Sequence, residues 1–444
     1  MTAEPSAHVL CLVGTRPEAI KMFPVILALR ASANFVPVVV TTGQHAHLVD
    51  PVLAMAGITP DFDLAVGRTG LTLNELVSTV IAKLDNFCRQ RFAATGAAVA
   101  TGEQIIDSGF PVATLVHGDT SSALAAAIAS FNLRIPVIHV EAGLRTRTPL
   151  SPFPEELNRQ VISRIAAFHL APTSRNEENL VREHVPYDQI FVTGNTGIDA
   201  LQFASTLDVQ FEDPAVGDAI ASSDPLVTVT AHRRENWDGG LARIADAIGR
   251  LAVAHPGTRF VIPQHPNPLV RAQLGTPLTI HPNVILTEAL SYVPFAKLMA
   301  RSTLLITDSG GIQEEAPALN VPVLVTRDTT ERGEGVEAGT LRLVGTDPEK
   351  IVQAASLLLS DPAEHAAMAA AVNPYGDGQA SERVVAALAY LANLGPAPVR
   401  LGPGFSRHAV LAAAGYPGGL RTAAGAPRGL GLGAREPTDP WVGP

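Results

Sequence analysis

Three acids follow short apolar runs or a stiff turn in the first half of the chain. Asp119 stands in His117-Gly118-Asp119-Thr120, Glu141 in His139-Val140-Glu141-Ala142-Gly143, and Glu155 in Pro152-Phe153-Pro154-Glu155-Glu156. Positioned carboxylates of this kind remove and deliver protons. A second set is cationic. Arg16 and Lys21 share Gly14-Thr15-Arg16-Pro17-Glu18-Ala19-Ile20-Lys21, His232 lies in Ala231-His232-Arg233-Arg234-Glu235-Asn236, and Arg332 closes Thr329-Thr330-Glu331-Arg332. These side chains suit an anion, and His232 suits proton transfer as well. The third set is Thr307-Asp308-Ser309-Gly310-Gly311-Ile312-Gln313-Glu314-Glu315. Its glycines allow close approach of a phosphate to backbone N–H groups, Ser309 adds a hydroxyl, and Glu315 can accept hydrogen bonds from sugar hydroxyls. Taken singly, each segment also fits a tight strand–helix turn, a helix cap or a solvated face. Acids in one half, opposite anion-binding turns, are harder to assign to structure alone.

Other chemistries lack their residues. No HExxH, paired CxxC or GxSxG occurs, and His45 with His47 is too sparse for a metal site, so no metal is expected. The GxGxxA match at 429–434 has no strand before it and no helix after it. It is rejected as a dinucleotide fingerprint, and no cofactor is expected. Cys11 and Cys88 cannot build a disulfide framework. A net charge of −10 argues against a nucleic-acid or polybasic membrane partner. No uncharged apolar stretch reaches the ~20 residues that span a bilayer, and no secretory signal is visible. A soluble, cytoplasmic protein is expected.

The elements that must hold these residues alternate between strand and helix. Apolar runs at His8–Val13, Val36–Thr42, Ala113–Val116, Pro136–Val140 and His169–Ala171 read as buried parallel strands separated by helical stretches, the first helix running from Ala19 to about Ala31. The pattern restarts with strands at Leu226–Thr230, Arg259–Pro263, Val284–Leu286, Leu304–Thr307 and Val321–Val325, with a helix at Leu241–Ala254. The fold class is α/β, with two doubly wound domains. The expected boundaries are 1–200 and 201–372, with a cut near 194–213. A last helix lies within 376–394, and a Gly-, Pro-, Ala- and Arg-rich tail over 395–444 is expected to be disordered. With 46% apolar and 17% charged residues, the chain can bury two large cores. The stretch 93–109 reads as a surface insertion.

In order along residues 8–392, the segments GTRPEAIKM, TGQH, VHGDTSS, HVEAGLRT, PEELNRQ, TGNTGIDAL, HRREN, TDSGGIQEEAP, DTTER, EAGTLRLVGTD and NPYGDGQASERV resemble the non-hydrolysing UDP-N-acetylglucosamine 2-epimerases of bacteria. The resemblance implies two Rossmann-like domains facing a central cleft, the GT-B arrangement, with the final helix crossing back to the first domain. It places UDP at Ser309, Gly310, Gly311, Glu315 and Arg332, with uracil near Phe295. Arg16, Lys21, Asp119, Glu141 and His232 would line the cleft. Leu290 stands where family members commonly carry glutamine, and Gly333 where they carry proline.

The implied reaction is reversible inversion at C2 of UDP-N-acetylglucosamine, by anti elimination of UDP to 2-acetamidoglucal and re-addition, feeding surface polysaccharide. Asp119, Glu141 and Glu155 would handle protons, with His232 and the cations on the departing UDP. Gln44, His45, Arg68 and His265 match a second site where UDP-N-acetylglucosamine acts as an allosteric activator. A homodimer is the family expectation. Alternatives with the same residues are a 2-epimerase for a modified UDP-sugar of the diacetamido uronic acid type and a non-catalytic UDP-sugar sensor. A hydrolysing epimerase or a GT-B glycosyltransferase would share the fold.

Overall fold

The structure is a computed structural model that describes residues 7–68, 70–92 and 111–401. The described residues form one compact unit. The expected insertion and the 429–434 match lie outside the described residues. So does the expected tail from residue 402 onward; residues 395–401 are described and irregular in backbone.

Two parallel sheets organise the chain. The first contains β1 (Ala7–Val13), β2 (Phe35–Thr41), β3 (Phe62–Asp63), β4 (Ala113–His117), β5 (Val137–Val140), β6 (Phe168–Ala171) and β7 (Ile190–Val192), in the order β3-β2-β1-β4-β5-β6-β7. The second contains β8 (Leu226–Thr230), β9 (Arg259–Pro263), β10 (Val284–Thr287), β11 (Leu304–Thr307), β12 (Val323–Val325) and β13 (Leu341–Leu343), in the order β10-β9-β8-β11-β12-β13. Every recorded strand pair is parallel; Cys11 of β1, for example, faces Val39 on one side and Leu115 on the other. The apolar runs are continuous because both faces of each sheet are covered. On the first sheet, Val9, Cys11 and Val13 pack against the helix Arg16–Ala31, while Leu10 and Leu12 pack against Leu73–Arg91 and Ser121–Asn132. On the second, the helices Gly240–Ala254 and Pro348–Ser360 cover one face, and Tyr292–Arg301 the other. These are two Rossmann-like, doubly wound α/β domains.

The segment 194–213 does not behave as a bare linker. Its helix Thr196–Thr206 puts Ala200 into the first core and Leu201 and Ala204 into a core of the second sheet. The last helix, Ala380–Leu391, contributes Val384, Ala387 and Leu388 to the core formed by β1 and Arg16–Ala31. Strands β3, β7 and β13 are additional to those read from sequence. Each is two or three residues long at or near a sheet edge.

In both sheets chain order reverses at the centre, between β1 and β4 and between β8 and β11. Loops leaving the carboxyl ends of those strands diverge and leave a crevice, which is where open α/β sheets hold ligands. The loop after β5 needs one special residue. Gly143 has φ +95°, and a Cβ there would overlap the carbonyl of Asn176, lying 2.7 Å from its carbon. Gly143→Ala is therefore expected to cost about 2–4 kcal/mol of unfolding free energy through strain and displaced backbone. Urea denaturation followed by circular dichroism measures it; an unchanged midpoint would contradict the tight fit.

Candidate functional site

The first domain builds its half of the site around a buried carboxylate. Thr15 caps the helix Arg16–Ala31, so Pro17 is its second residue. Glu18 accepts from the backbone N–H groups of Gly14 (2.9 Å) and Thr15 (2.6 Å), the capping-box arrangement, and also from Thr120 Oγ1 (2.6 Å). One side chain thus ties the loop after β1 to the loop after β4. Lys21, one turn further along, pairs with Glu141 at the end of β5. Glu141 adopts φ +62°, and Gly118 beside it φ +65°. His117 is buried, with Nε2 3.6 Å from the other Glu141 oxygen. Burial pushes His117 down to about 4, so its ring is neutral near pH 7. Burial acts upward on Glu141, but the charge of Lys21, that of His117 once it is protonated in acid, and the Lys21 hydrogen bond outweigh it and hold Glu141 at about 2.

Asp119 is held by Arg159, whose Nη2 (2.6 Å) and Nε (2.9 Å) both donate to Oδ2. Arg159 Nη1 reaches Glu156 Oε2 at 3.0 Å, and buried Glu156 accepts from the N–H groups of Thr146 and Arg147. Burial raises the Asp119 pKa, Arg159 opposes, and the charges of Glu141 and Glu155 raise it further. Glu155 is therefore within electrostatic reach of Asp119, at the start of the helix Glu155–Ile165.

The second domain uses a matching device. Asp308, fully buried after β11, accepts from the N–H groups of His232 (2.9 Å) and Arg233 (2.8 Å) and from Asn236 Nδ2 (3.0 Å). It fixes the loop after β8 against the loop after β11. His232 Nδ1 lies 3.5 Å from Asp308 Oδ1, and its ring stacks on His265 with centroids 5.4 Å apart and planes at 5°. Burial lowers the His232 pKa, Asp308 opposes, and His265 adds to the lowering. A Cβ on Gly310 would come within 3.1 Å of the Arg332 guanidinium and 3.2 Å of that of Arg233, so glycine is what lets both cations approach this turn. Arg332 Nε donates to Glu314 at 2.8 Å. Glu315 is pushed up to about 7 by burial and by the charge of Glu314, with Lys21 opposing.

Between the two halves lies a cleft of about 680 Å³. Lys21, Asp119 and Glu141 line it together with Gly311, Glu315 and Arg332, so six of the expected residues face one space. Ser309 and Gly310 directly precede Gly311, and Ser309 caps the helix Gly310–Glu315. Arg16, Glu155, His232 and Phe295 are not among the lining residues. Arg16 acts electrostatically on Tyr292, whose ring packs against the cores of both sheets. Phe295 and Leu290 both pack against a core under the second sheet. Gln44 accepts from Ser122 Oγ at 2.9 Å, and His45 begins the helix Ala46–Met55. Arg68 is not among the lining residues and forms an exposed pair with Glu75, the acid of a helix cap, at 2.6 Å.

Several site residues escape a reading of the sequence. His117, Glu314, Arg175 and Tyr375 line the cleft, and Arg159 and Glu156 orient Asp119 from behind. Glu18 carries a readable signal, the Thr-x-x-Glu box. Arg159 has none, because its partner lies forty residues earlier. Contacts cross the cleft as well. Asn195 Nδ2 donates to Glu314 (2.7 Å), Thr173 Oγ1 to Glu334 (2.9 Å), and Gly335 N–H to the Tyr375 hydroxyl (3.0 Å). Among the described residues no group of acids, histidines and cysteines could hold a metal ion, and no helix is long and apolar enough to cross a membrane.

Comparison with known proteins agrees with this geometry. The family model described as UDP-N-acetylglucosamine 2-epimerase matches residues 89–389. The UDP-N-acetylglucosamine 2-epimerase of Escherichia coli K12 is 44% identical over 385 residues, covering 86% of this chain and 98% of its own. That of Bacillus subtilis is 43% identical over 382 residues, covering 86% and 95%. The crystal structure of the Neisseria meningitidis UDP-GlcNAc 2-epimerase bound to UDP-GlcNAc superposes with a TM-score of 0.69 at 40% identity, covering 86% of this chain and all of that one. With its paired Rossmann-like domains and the acids and arginine facing their shared cleft, the chain belongs to the UDP-N-acetylglucosamine 2-epimerase family of isomerases.

Proposed function

We propose that this enzyme interconverts UDP-N-acetylglucosamine and UDP-N-acetylmannosamine by anti elimination and re-addition of UDP. The observation that carries the reading is the shared cleft, where two carboxylates of the first domain meet a glycine turn and an arginine of the second. The C2 proton of the sugar has no adjacent carbonyl to acidify it. Removing it while the C1–oxygen bond breaks avoids a free carbanion: the C–H electron pair becomes the C1=C2 bond, and the diphosphate departs with the C1–O pair. Returning a proton to the opposite face of C2, and the diphosphate to C1, gives the epimer. Such a route needs acids at both faces and cations on the diphosphate.

Asp119, Glu141 and Glu155 are the proton-handling candidates. Arg159 engages one Asp119 oxygen with two N–H groups, which supports a fixed carboxylate whose other oxygen can address the sugar. Lys21 and Arg332 are at present shared with Glu141 and Glu314. A diphosphate entering the cleft competes for both cations. Each acid that loses its cation becomes more basic, which moves Glu141 from about 2 toward the range where it exchanges protons. Ser309, Gly310 and Gly311 would seat the phosphates, Glu315 the ribose hydroxyls and Phe295 the uracil, with Arg16 and His232 flanking the departing group. The stacking of His232 on His265 favours one addition: a second UDP-N-acetylglucosamine held near Gln44, His45 and His265 would act on the catalytic histidine directly. The product would feed surface polysaccharide in the cytoplasm, and a homodimer is the proposed assembly.

Incubation with UDP-N-acetylglucosamine in deuterated water tests the reaction. Deuterium at C2 together with UDP-N-acetylmannosamine is expected by NMR. Free N-acetylmannosamine alone would indicate hydrolysis, and intact binding without exchange would indicate a sensor. Asp119→Asn is expected to lower kcat by about 10³-fold or more while UDP still binds; full activity in that variant would remove Asp119 from the chemistry.

The elevated Glu315 carboxyl gives a pH prediction. A carboxylate that accepts ribose hydroxyls binds sugar nucleotide better ionised, so binding lowers its pKa from about 7 and releases a proton there. Affinity for UDP-N-acetylglucosamine should rise with pH through 7. Calorimetry in buffers of different ionisation heat should show net proton release near pH 7. In Glu315→Gln both effects should vanish; persistence in that variant would assign the proton to another group.

A further inference from the structure

Beyond the last residue matched by the family model, the chain continues as an irregular segment that lies on the first domain. Leu401 N–H donates to Val192 O at 2.8 Å, adding a bond to the end of the edge strand β7. Leu401 also packs beside Gly194, where a Cβ would stand 3.2 Å from its Cδ2. Arg400 turns inward. Its guanidinium carbon sits 4.7 Å from the centre of the Tyr187 ring, and its charge meets Glu177.

Glu177 is the unusual member of this pair. It lies in the helix Ser174–Arg182, its side chain is 0% exposed, and apart from the Arg400 guanidinium neither oxygen has a hydrogen-bond donor among the described residues. Arg400 Nη2 meets Glu177 Oε1, and Arg400 Nε is buried without an acceptor. Each charge is therefore the main compensation of the other. Removing one member of a buried pair leaves the other unpaired, which costs far more than losing the pair as a whole.

The helix that carries Glu177 is part of the cleft wall. Its first turn presents Arg175 and Asn176 to the cleft, and its capping residue Thr173 bonds Glu334 across it. Its Asn179 Nδ2 donates to Gly143 O at 3.0 Å, two residues past Glu141. The geometry points to residues 399–401 as a strap, with Arg400 a positioning residue that pins the helix Ser174–Arg182, and through it the Glu141 loop, by neutralising Glu177. This role rests on the epimerase reading only where it concerns turnover. Arg400 lies past residue 389, where the match to the family model ends, while Glu177 lies within it.

Full-length Arg400→Met and the double variant Arg400→Met/Glu177→Gln test the strap. Hydrogen exchange by mass spectrometry should show amides of residues 174–182 and 141–145 exchanging at least tenfold faster in the single variant. KM for UDP-N-acetylglucosamine should rise at least fivefold, with kcat within twofold. The double variant, which buries no unpaired charge, should return both readings to within twofold of the parent. Parent-like exchange in Arg400→Met overturns the strap. Faster exchange with unchanged KM overturns the positioning role. A double variant no better than the single one, or one that fails to fold, shows that the charge pair is not the cause. Exchange is read without turnover. If the parent chain failed to epimerise, the epimerase reading would fall, and the strap would still stand or fall on exchange.

Discussion

The ion pair between Lys21 and Glu141 sets the terms for the whole cleft. Glu141 stands at a strand end beside His117 and Asp119, while Glu314 and Glu315 act on Lys21 from the other domain. A crevice this rich in acids is repulsive unless cations are threaded through it. The chain supplies them singly: Lys21 for Glu141, Arg159 for Asp119, Arg332 for Glu314. Under the proposed function, a diphosphate takes over the first and third of these cations but has no route to Arg159, which lies behind Asp119 and is 9% exposed. One carboxylate would then be released to exchange protons while another stays fixed in place. The same residues can therefore serve as leaving-group cations and as switches on the acids.

Both domains solve the loop problem in the same way. A parallel sheet leaves its central loops splayed at the switch point, with backbone N–H groups that need partners. Glu18 in the first domain and Asp308 in the second are buried carboxylates that collect those N–H groups and reach to the neighbouring loop. They are supplied from opposite sides of the crevice. Glu18 comes from the helix after the first strand of its domain, whereas Asp308 follows the strand on the far side of the switch point from its β8 loop. Neither need touch a substrate for the site to depend on it, because Lys21 and His232 take their positions from these loops.

The legible part of this protein was what is local or periodic. The long strands announced themselves as apolar runs, since both sheet faces are covered. The acids at strand ends and the glycine turn after β11 followed from the same register. Short edge strands such as Phe62–Asp63 carry too few residues for a pattern. The helix Thr196–Thr206 hid in the expected linker because its apolar residues serve two different cores, not one face. Side-chain partners were the least legible. Arg159 looks like any helix arginine until the fold brings it to Asp119, and Glu314 gives no sign that it will meet Asn195. In each case the deciding fact is a contact between distant residues, which spacing does not encode.

The bonds across the cleft bear on how an enzyme of this kind can open and shut. Asn195 with Glu314, Thr173 with Glu334 and Tyr375 with the Gly335 amide are polar contacts from separate points along the chain. Each such bond contributes only about 1 kcal/mol net, because water replaces it when broken. Under the proposed elimination and re-addition, a set of this size would hold the glucal and UDP together between the two steps, yet let the epimer leave. Heavier apolar burial at the same place would have traded that reversibility for rigidity. Apolar bridging falls to the helix Thr196–Thr206, which sends Ala200 into the first core and Leu201 and Ala204 into the second, while Ala380–Leu391 packs on the first core.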